Sequence, residues 1–240
     1  ARSSATAPAA LLESPAVQPA LLPRIWLGAP NSIKGPTEAV FKRQSGNNLL
    51  IVGQREEAIL SMFALGAVAL AAQFPAGSAE ILLLDSSAPG TQEREYLESL
   101  LAGAPRNVRV IRSGEISALF AELARRKETL AAAGETGSGH ATFLMIHGLH
   151  RFPKLRFEDE FSFSSSEKEA APGAVLNDLV AEGPRVGLHV VASCDTYNNV
   201  NRFLSRKTLS EFEMRVVFQM SANDSASLTD TPRASMLGLH

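Results

Sequence analysis

The stretch NLLIVGQREEAIL, residues 48–60, decides the fold of this chain. An apolar strand ends in Gly53, four residues follow, and a long apolar helix continues from there, which is the frame of a phosphate-binding loop. The motif G-x-x-x-x-G-K-S/T requires a second glycine, a lysine and a hydroxyl after those four residues. This chain has Ala58, Ile59 and Leu60 instead. The frame therefore predicts a strand–loop–helix unit that lacks the side chains for binding phosphate and magnesium.

The rest of the chain alternates short apolar runs with helical patterns. Strands are predicted at residues 49–52, 79–85, 107–113, 141–147, 188–194 and 213–220, and helices at residues 56–73, 91–102, 116–133 and 174–183. This alternation predicts an α/β fold with a mostly parallel sheet and helices on both faces. Ligands of such sheets bind at the carboxyl ends of the strands. We therefore expect Gly53, Asp85, His147 and Asp195 to lie together.

Composition places the chain among ordinary globular proteins. It has 240 residues, 45% of them hydrophobic and 20% charged, which suffices for one large domain or two small ones. The formal net charge of -2 argues against binding nucleic acid through bulk positive charge. The single cysteine, Cys194, cannot close an internal disulfide, so we predict a reducing, cytoplasmic location.

Neither the N-terminal segment nor the longest apolar run is predicted to enter a membrane. Residues 1–23 are rich in Ala, Pro and Ser without a basic start, which predicts a linker rather than a signal peptide and leaves residues 24–240 as the domain. The chain does not begin with Met, so we expect a fragment of a longer protein. Residues 58–74 are uncharged but lie near the short end of the roughly 17–25 residues that a spanning helix needs. A buried helix and no membrane insertion are predicted.

A second glycine-rich stretch, GETGSGHA at residues 134–141, also resembles a phosphate loop. A phosphate loop must leave a strand and open a helix, so that its amides and the helix dipole converge on the anion. Here the order is reversed, because a helix precedes the glycines and a strand follows them. We predict the end of a helix and a turn.

Two further constellations are weaker candidates. His147 and His150 form an H-x-x-H pair after a strand, but no third metal ligand has a clear spacing, and we predict no metal site. Ser193 and Asp195 with His189 or His147 would supply the residue types of a hydrolytic triad. The chain has no G-x-S-x-G elbow, so no catalytic residues are predicted.

Charged segments remain open to two interpretations each. Residues 158–160, with FSFSSSEKE after them, predict a solvated loop or a partner-binding lip. Arg202, Arg206 and Lys207 form the strongest basic patch. Such a patch is typical of a solvated face, and contacts to DNA or to a neighbouring module are the alternatives.

Four segments together resemble the FtsK/SpoIIIE/HerA group of motor ATPases. They are NLLIVG with its apolar helix, FLMIHGLHRF, EGPRVGLHVVAS and RVVFQMSANDSASLTDTPRASMLG. GLH at residues 187–189 and MS..DS at residues 220–225 are the most specific matches. The leader at residues 25–53 is similar to tandem-module relatives that include the type VII secretion ATPases called EccC. The resemblance covers about residues 24–240 and implies a RecA-like P-loop NTPase fold.

The resemblance also implies which nucleotide chemistry is missing. In the family the loop lysine neutralises phosphate charge and the Ser or Thr hydroxyl holds magnesium, and Ile59 and Leu60 do neither. Glu56 and Glu57 place negative charge where the phosphates would lie. The positions that match a degenerate nucleotide site are Gly53, Gln54, Ala58, Ile59, Leu60, Asp85, His147 and Asp195.

The acidic positions of the family are replaced as well. Its Walker B strand ends in Asp-Glu, where this chain has His147 and Gly148, and its sensor strand ends in Thr-Gln, where this chain has Cys194 and Asp195. Losses at separate elements that meet in one site indicate a changed function. We expect no cofactor in this domain, although ATP and magnesium serve the active homologous modules.

The resemblance leaves more than one function open. The first is a non-hydrolysing module of a larger DNA- or protein-translocating motor, partnered by active ATPase modules of the same polypeptide or ring. Such motors serve cell division and chromosome segregation or type VII secretion, and the rest of the protein would provide any membrane association. The alternative is a binding module whose vacated pocket, floored by Ala58, Ile59 and Leu60, accepts an apolar peptide of a secreted protein. That alternative expects Ile59 and Leu60 to be partly exposed. A weakly active ATPase is third.

Overall fold

The computed structural model describes residues 22–29, 33, 35–103, 107–134, 139–157 and 171–238. Most of the predicted linker, residues 1–21, lies outside these residues, as does the predicted loop at residues 158–170. Residues 135–138 of the second glycine-rich stretch also lie outside them. The interpretations of these segments therefore stay predictions.

From β3 onward the described strands are separated by helices, with two helices in succession between β7 and β8. The strands are β1 (Arg24–Gly28), β2 (Thr37–Val40), β3 (Leu49–Val52), β4 (Ala79–Asp85), β5 (Val108–Ile111), β6 (Ala141–His147), β7 (Leu188–Cys194) and β8 (Met214–Val217). The α-helices are α1 (Glu56–Ala72), α2 (Gln92–Ala102), α3 (Ile116–Ala133), α4 (Pro172–Glu182), α5 (Tyr197–Phe203), α6 (Arg206–Ser210) and α7 (Ala222–Thr229). Two short 3-10 turns, Leu149–Arg151 and Pro153–Leu155, follow β6.

Six strands form one sheet in the order β5-β4-β6-β7-β3-β8. Every pairing within it is parallel, so the six carboxyl ends lie at one edge. The central strands β3, β6 and β7 are buried along their whole length, as expected for a parallel sheet covered on both faces. The predicted α/β fold with a mostly parallel sheet is confirmed.

Two hydrophobic cores cover the two faces of this sheet. Leu50 packs with α3 and α4 on one face, whereas Leu49 and Ile51 pack with α1 on the other. A small antiparallel sheet of β1 and β2 adds to the second core. A Cβ atom on Gly66 of α1 would lie 3.2 Å from the side chain of Ile25 in β1. The glycine therefore permits the close approach of this small sheet to α1.

The apolar run after β3 forms a buried helix, as predicted. Eight of the 17 residues of α1 are buried, and the helix contributes a continuous row of side chains to the second core. In the part of the chain that the structure describes, no helix combines the length and the apolar character needed to cross a bilayer.

Sequence patterns missed several short elements and misplaced some ends. The small sheet of β1 and β2 and the helices α5, α6 and α7 were not predicted, because elements of four to eight residues are too short for a clear period. The helix α4 begins at Pro172, which is favoured at a first helical position. The last strand is shorter than predicted and spans only Met214–Val217.

The two motifs most specific to the resemblance, GLH and MS..DS, contain residues that stabilise the fold. Gly187 adopts a left-handed conformation with φ 81° before β7, which glycine allows without strain. His189 is buried, and its Nδ1 lies 2.9 Å from the carbonyl oxygen of Asn47. Burial lowers the pKa of His189 to about 4. Ser225 is fully buried and donates a hydrogen bond of 2.6 Å from Oγ to the carbonyl of Thr231.

Candidate functional site at the carboxyl edge of the sheet

The ends of β3, β6 and β7 surround a cleft of about 240 Å³. Five of the predicted positions line it, namely Gly53, Gln54, Ile59, His147 and Asp195. Five of the eight predicted positions therefore lie together at the edge of the sheet where the sequence placed them, and their role in binding stays a prediction. Ala58, Leu60 and Asp85 lie beside the cleft without contributing to its lining among the described residues.

The phosphate-loop position is closed by an early helix. Because α1 begins at Glu56, only residues 53–55 separate it from β3. Ile59 is 4% exposed and Leu60 is 3% exposed, and both pack into the second core. The expectation that these two side chains are partly exposed on an apolar pocket floor is wrong. Their helical positions turn them toward the sheet, where they pack in the core.

Gly53 is held by backbone bonds and by a close aromatic neighbour. Its N–H donates a hydrogen bond of 3.0 Å to the carbonyl of Cys194, and the N–H of Phe218 donates one of 2.9 Å to the carbonyl of Val52. A Cβ atom on Gly53 would lie 2.5 Å from Cβ of Phe218. This approach of Phe218 explains why glycine is needed at the end of β3 without any phosphate.

The start of α1 carries carboxylates. Glu56 and Glu57 lie in its first turn and are exposed, where negative charge is stabilised by the helix dipole. Glu56 forms an ion pair with Arg151 across the mouth of the cleft. With carboxylates at the helix start and no lysine or hydroxyl at positions 59 and 60, the residues present do not fit a magnesium nucleotide.

Asp85 and His147 form a buried pair behind the cleft. The Asp85 side chain is 0% exposed and accepts hydrogen bonds from the backbone and hydroxyl of Ser87 and, at 2.6 Å, from Arg94. Nδ1 of His147 lies 3.1 Å from Oδ1 of Asp85. Burial would raise the pKa of Asp85, but its bonds to His147 and Ser87 outweigh burial and lower the pKa to about 2. Asp85 is therefore an ionised anchor for His147.

The backbone after His147 is fixed by Gly148. This residue has φ 75°, and a Cβ atom on it would lie 2.4 Å from Oγ of Ser86. Its N–H donates a hydrogen bond of 2.8 Å to Oγ of Ser193. Ser193 thus supports the backbone. No hydrolytic triad forms within the described residues, since His147 faces Asp85 and His189 lies at the opposite end of β7.

The three residues of the predicted basic patch are exposed. Arg202 lies in α5, and Arg206 and Lys207 begin α6. The N–H of Phe157 donates a hydrogen bond of 3.1 Å to the carbonyl of Arg202, so the segment after β6 joins the patch. Arg156 lines a depression beside Arg202, and the sequence patterns had not grouped the two.

Sequence reasoning also missed a group formed by His150, Cys194 and Asp195. Nδ1 of His150 lies 3.6 Å from Oδ1 of Asp195, and Sγ of Cys194 lies 3.7 Å from the same oxygen. The H-x-x-H pattern joined His150 to His147, whose Nδ1 is already occupied by Asp85. The three residues come from two strand ends, so a spacing rule within one segment does not find them.

Burial dominates the electrostatics of this group. It lowers the pKa of His150 and raises the pKa of Cys194 to about 12. Burial would also raise the pKa of Asp195, but hydrogen bonds from Asn199 and the nearby His150 outweigh it and lower the pKa. The group therefore pairs a neutral imidazole and a thiol with an ionised carboxylate near neutral pH.

Solved structures share the fold, although no family model and no curated protein matches the sequence. The cytoplasmic domain of the type VII secretion ATPase EccC of Thermomonospora curvata superposes with a TM-score of 0.65 and 16% identity, covering 96% of this chain and 27% of that one. The pCW3 conjugation coupling protein TcpA, solved in its monomer form with ATPγS, superposes with a TM-score of 0.63 and 12% identity. The match covers 90% of this chain and 60% of the TcpA chain.

The cytoplasmic domain of EssC gives a TM-score of 0.58 and 15% identity, covering 91% of this chain and 40% of that one. This chain has the fold of these ATPase domains. The predicted RecA-like P-loop NTPase fold and the resemblance to EccC-like FtsK/SpoIIIE modules are thereby confirmed at the level of fold. The chain spans 27% of the length of the solved EccC cytoplasmic-domain chain and 60% of the length of the solved TcpA chain.

Proposed function

We propose that this chain is a non-hydrolysing module of a translocase and acts by assembling with active ATPase modules. The observation that carries the proposal is the packed phosphate-loop position. Ile59 and Leu60 belong to the core, and Glu56 and Glu57 occupy the helix start where phosphates bind in active modules. Phosphoryl transfer depends on positioning and charge stabilisation of the phosphates, which these side chains do not supply.

The structural neighbours support a role within a larger assembly. Two solved structures, of EccC and of EssC, comprise ATPases 2 and 3 of those proteins, and this chain spans 35% and 41% of them. A module of this size fits one position in such a row. Its partners in this proposal are other ATPase modules of the same polypeptide or ring, in the cytoplasm, with membrane association supplied by the rest of the protein.

The cargo of the motor is protein or DNA. EccC ATPases 2 and 3 were solved with a signal sequence peptide, and TcpA is a conjugation coupling protein. In this proposal the exposed Arg202, Arg206 and Lys207 contact a neighbouring module or a DNA cargo. The apolar-peptide alternative loses its basis at this position, because Ile59 and Leu60 are buried.

The proposal predicts that the 240-residue chain has no magnesium-dependent ATP hydrolysis above a no-protein background. Steady-state phosphate release is measured with increasing protein. Glu56→Gln, an exposed change at the mouth of the cleft, shows whether any turnover arises at this cleft. Turnover that is proportional to protein and elutes with the folded chain in gel filtration would contradict the proposal, whether or not Glu56→Gln alters it. Turnover that elutes separately from the chain indicates a contaminant.

A further inference from the structure

The group of His150, Cys194 and Asp195 has the dimensions of a metal site. Its three donor atoms all lie within 4.8 Å of one another, and two of the separations are 3.6 and 3.7 Å. With Zn–N and Zn–O distances of about 2.0–2.2 Å and a Zn–S distance of about 2.3 Å, tetrahedral geometry places donors roughly 3.3–3.6 Å apart. The two separations from Oδ1 of Asp195 are already close to that arrangement, and the third, between His150 and Cys194, is no more than 4.8 Å.

His150 contributes to this group a ring nitrogen that has no hydrogen-bond partner. Its Nδ1 is buried and has no hydrogen-bond partner, because Oδ1 of Asp195 lies beyond hydrogen-bond distance. Buried polar atoms in folded proteins are nearly always bonded, and an exception calls for an unseen partner. A metal ion bound between the imidazole, the sulfur of Cys194 and the carboxylate would satisfy this nitrogen, and the thiol proton of Cys194 would be released to solvent on binding.

We infer that His150, Cys194 and Asp195 bind a zinc ion at the mouth of the cleft. The donor set selects the metal class, because a thiolate with an imidazole and a carboxylate suits zinc and disfavours magnesium and calcium, which take oxygen ligands. Three protein ligands leave a fourth position. Since all three residues line the cleft, that position is open to solvent or to a side chain of a partner.

The surroundings hold the ligands in place. Asn199 donates from Nδ2 to both oxygens of Asp195, at 2.8 and 3.1 Å, which fixes the carboxylate as second-shell partners commonly do. The 3-10 turn Leu149–Arg151 carries His150 from the end of β6, while Cys194 ends β7. The ion would therefore fasten two strand ends together. This inference does not depend on whether the chain hydrolyses ATP.

The test is a titration of the whole 240-residue chain with zinc after chelator treatment. Competition with a chromophoric chelator gives the stoichiometry and affinity, and cobalt substitution reports a thiolate ligand through its charge-transfer band. We expect one zinc per chain and a higher melting temperature with zinc. His150→Gln, at a side chain that is 18% exposed, should weaken binding by at least about tenfold, since even outer-shell partners contribute 10–100-fold.

His140→Gln is the matched control, because His140 lies before β6 at the opposite end of the sheet. It should leave zinc affinity unchanged, whereas Asp195→Asn should weaken it and Cys194→Ala should abolish the cobalt charge-transfer band. If Cys194→Ala does not fold, the inference is tested by the cobalt spectrum of the wild type and by the zinc affinity of His150→Gln. No stoichiometric zinc, no thiolate band in the wild type, or equal losses in His150→Gln and His140→Gln would overturn the inference.

Discussion

The two halves of the cleft differ in what fills them. The loop half, residues 53–60, is closed by backbone bonds and by apolar packing of Ile59 and Leu60. The strand half, residues 147–151 and 193–195, is polar and keeps a buried nitrogen of His150 without a bonding partner. The contrast shows that the loop half is packed core, whereas the strand half presents polar side chains with the chemistry of ligand donors.

The largest expected effect tests whether the loop half is core. Leu60→Ser should destabilise the chain by about 3 kcal/mol, because it removes packed methyl groups and buries a hydroxyl. At about 2–4 °C per kcal/mol for a chain of this size, the melting temperature should fall by roughly 6–12 °C. Thermal unfolding followed by circular dichroism measures the change.

Leu65→Ser is the matched control for that experiment. Leu65 lies in the same helix but is 58% exposed, so the same substitution should alter stability by no more than about 0.5 kcal/mol. Similar melting temperatures for the two variants would show that Leu60 faces an open cleft. The loop half of the cleft would then not be packed core, and it would no longer differ from the strand half in this respect.

A smaller effect tests the ionised anchor behind the strand half. The pKa of Asp85 is lowered from 3.8 to about 2, so its carboxylate contributes stability that is complete above about pH 4 and is lost as pH falls toward 2. This shift corresponds to about 2 kcal/mol. Between about pH 5 and pH 2, Asp85→Asn should therefore lose about 2 kcal/mol less unfolding free energy than the wild type.

Urea unfolding at a series of pH values measures this difference. Other carboxylates titrate over the same range in both proteins, so only the difference between wild type and Asp85→Asn reports on Asp85. Parallel stability curves would mean that Asp85 titrates at its ordinary pKa. The strand half would then lack the anchored His147 on which its description depends.

Periodicity predicted the main sheet and the long helices, because burial on both faces imposes continuous apolar runs on β3, β6 and β7. The position of the cleft was predicted from the ends of the strands, because the carboxyl ends of parallel strands lie at one edge of the sheet. The sequence also predicted that α1 starts at Glu56, but it did not reveal that Ile59 and Leu60 are buried. Which side of an apolar helix is buried depends on the sheet against which it packs, and the helix's own sequence does not specify this.

The group of His150, Cys194 and Asp195 lay beyond sequence patterns for a different reason. Its members follow two strands that become neighbours only in the folded sheet. The choice between His147 and His150 depends on Asp85, which lies on a third strand and takes the first histidine. Only the assembled edge separates the anchored histidine from the unpartnered one.

The most direct test of the central claim is the binding of magnesium ATP to the 240-residue chain, measured by isothermal titration calorimetry. Because the loop half is closed, we expect no saturable binding up to about millimolar nucleotide. A Kd of about 1 mM corresponds to a binding free energy of only about -4 kcal/mol. Saturable binding of one nucleotide per chain, with an affinity that changes when Glu56→Gln or His150→Gln alters the cleft, would contradict the claim, because it would show that phosphates still enter beside α1.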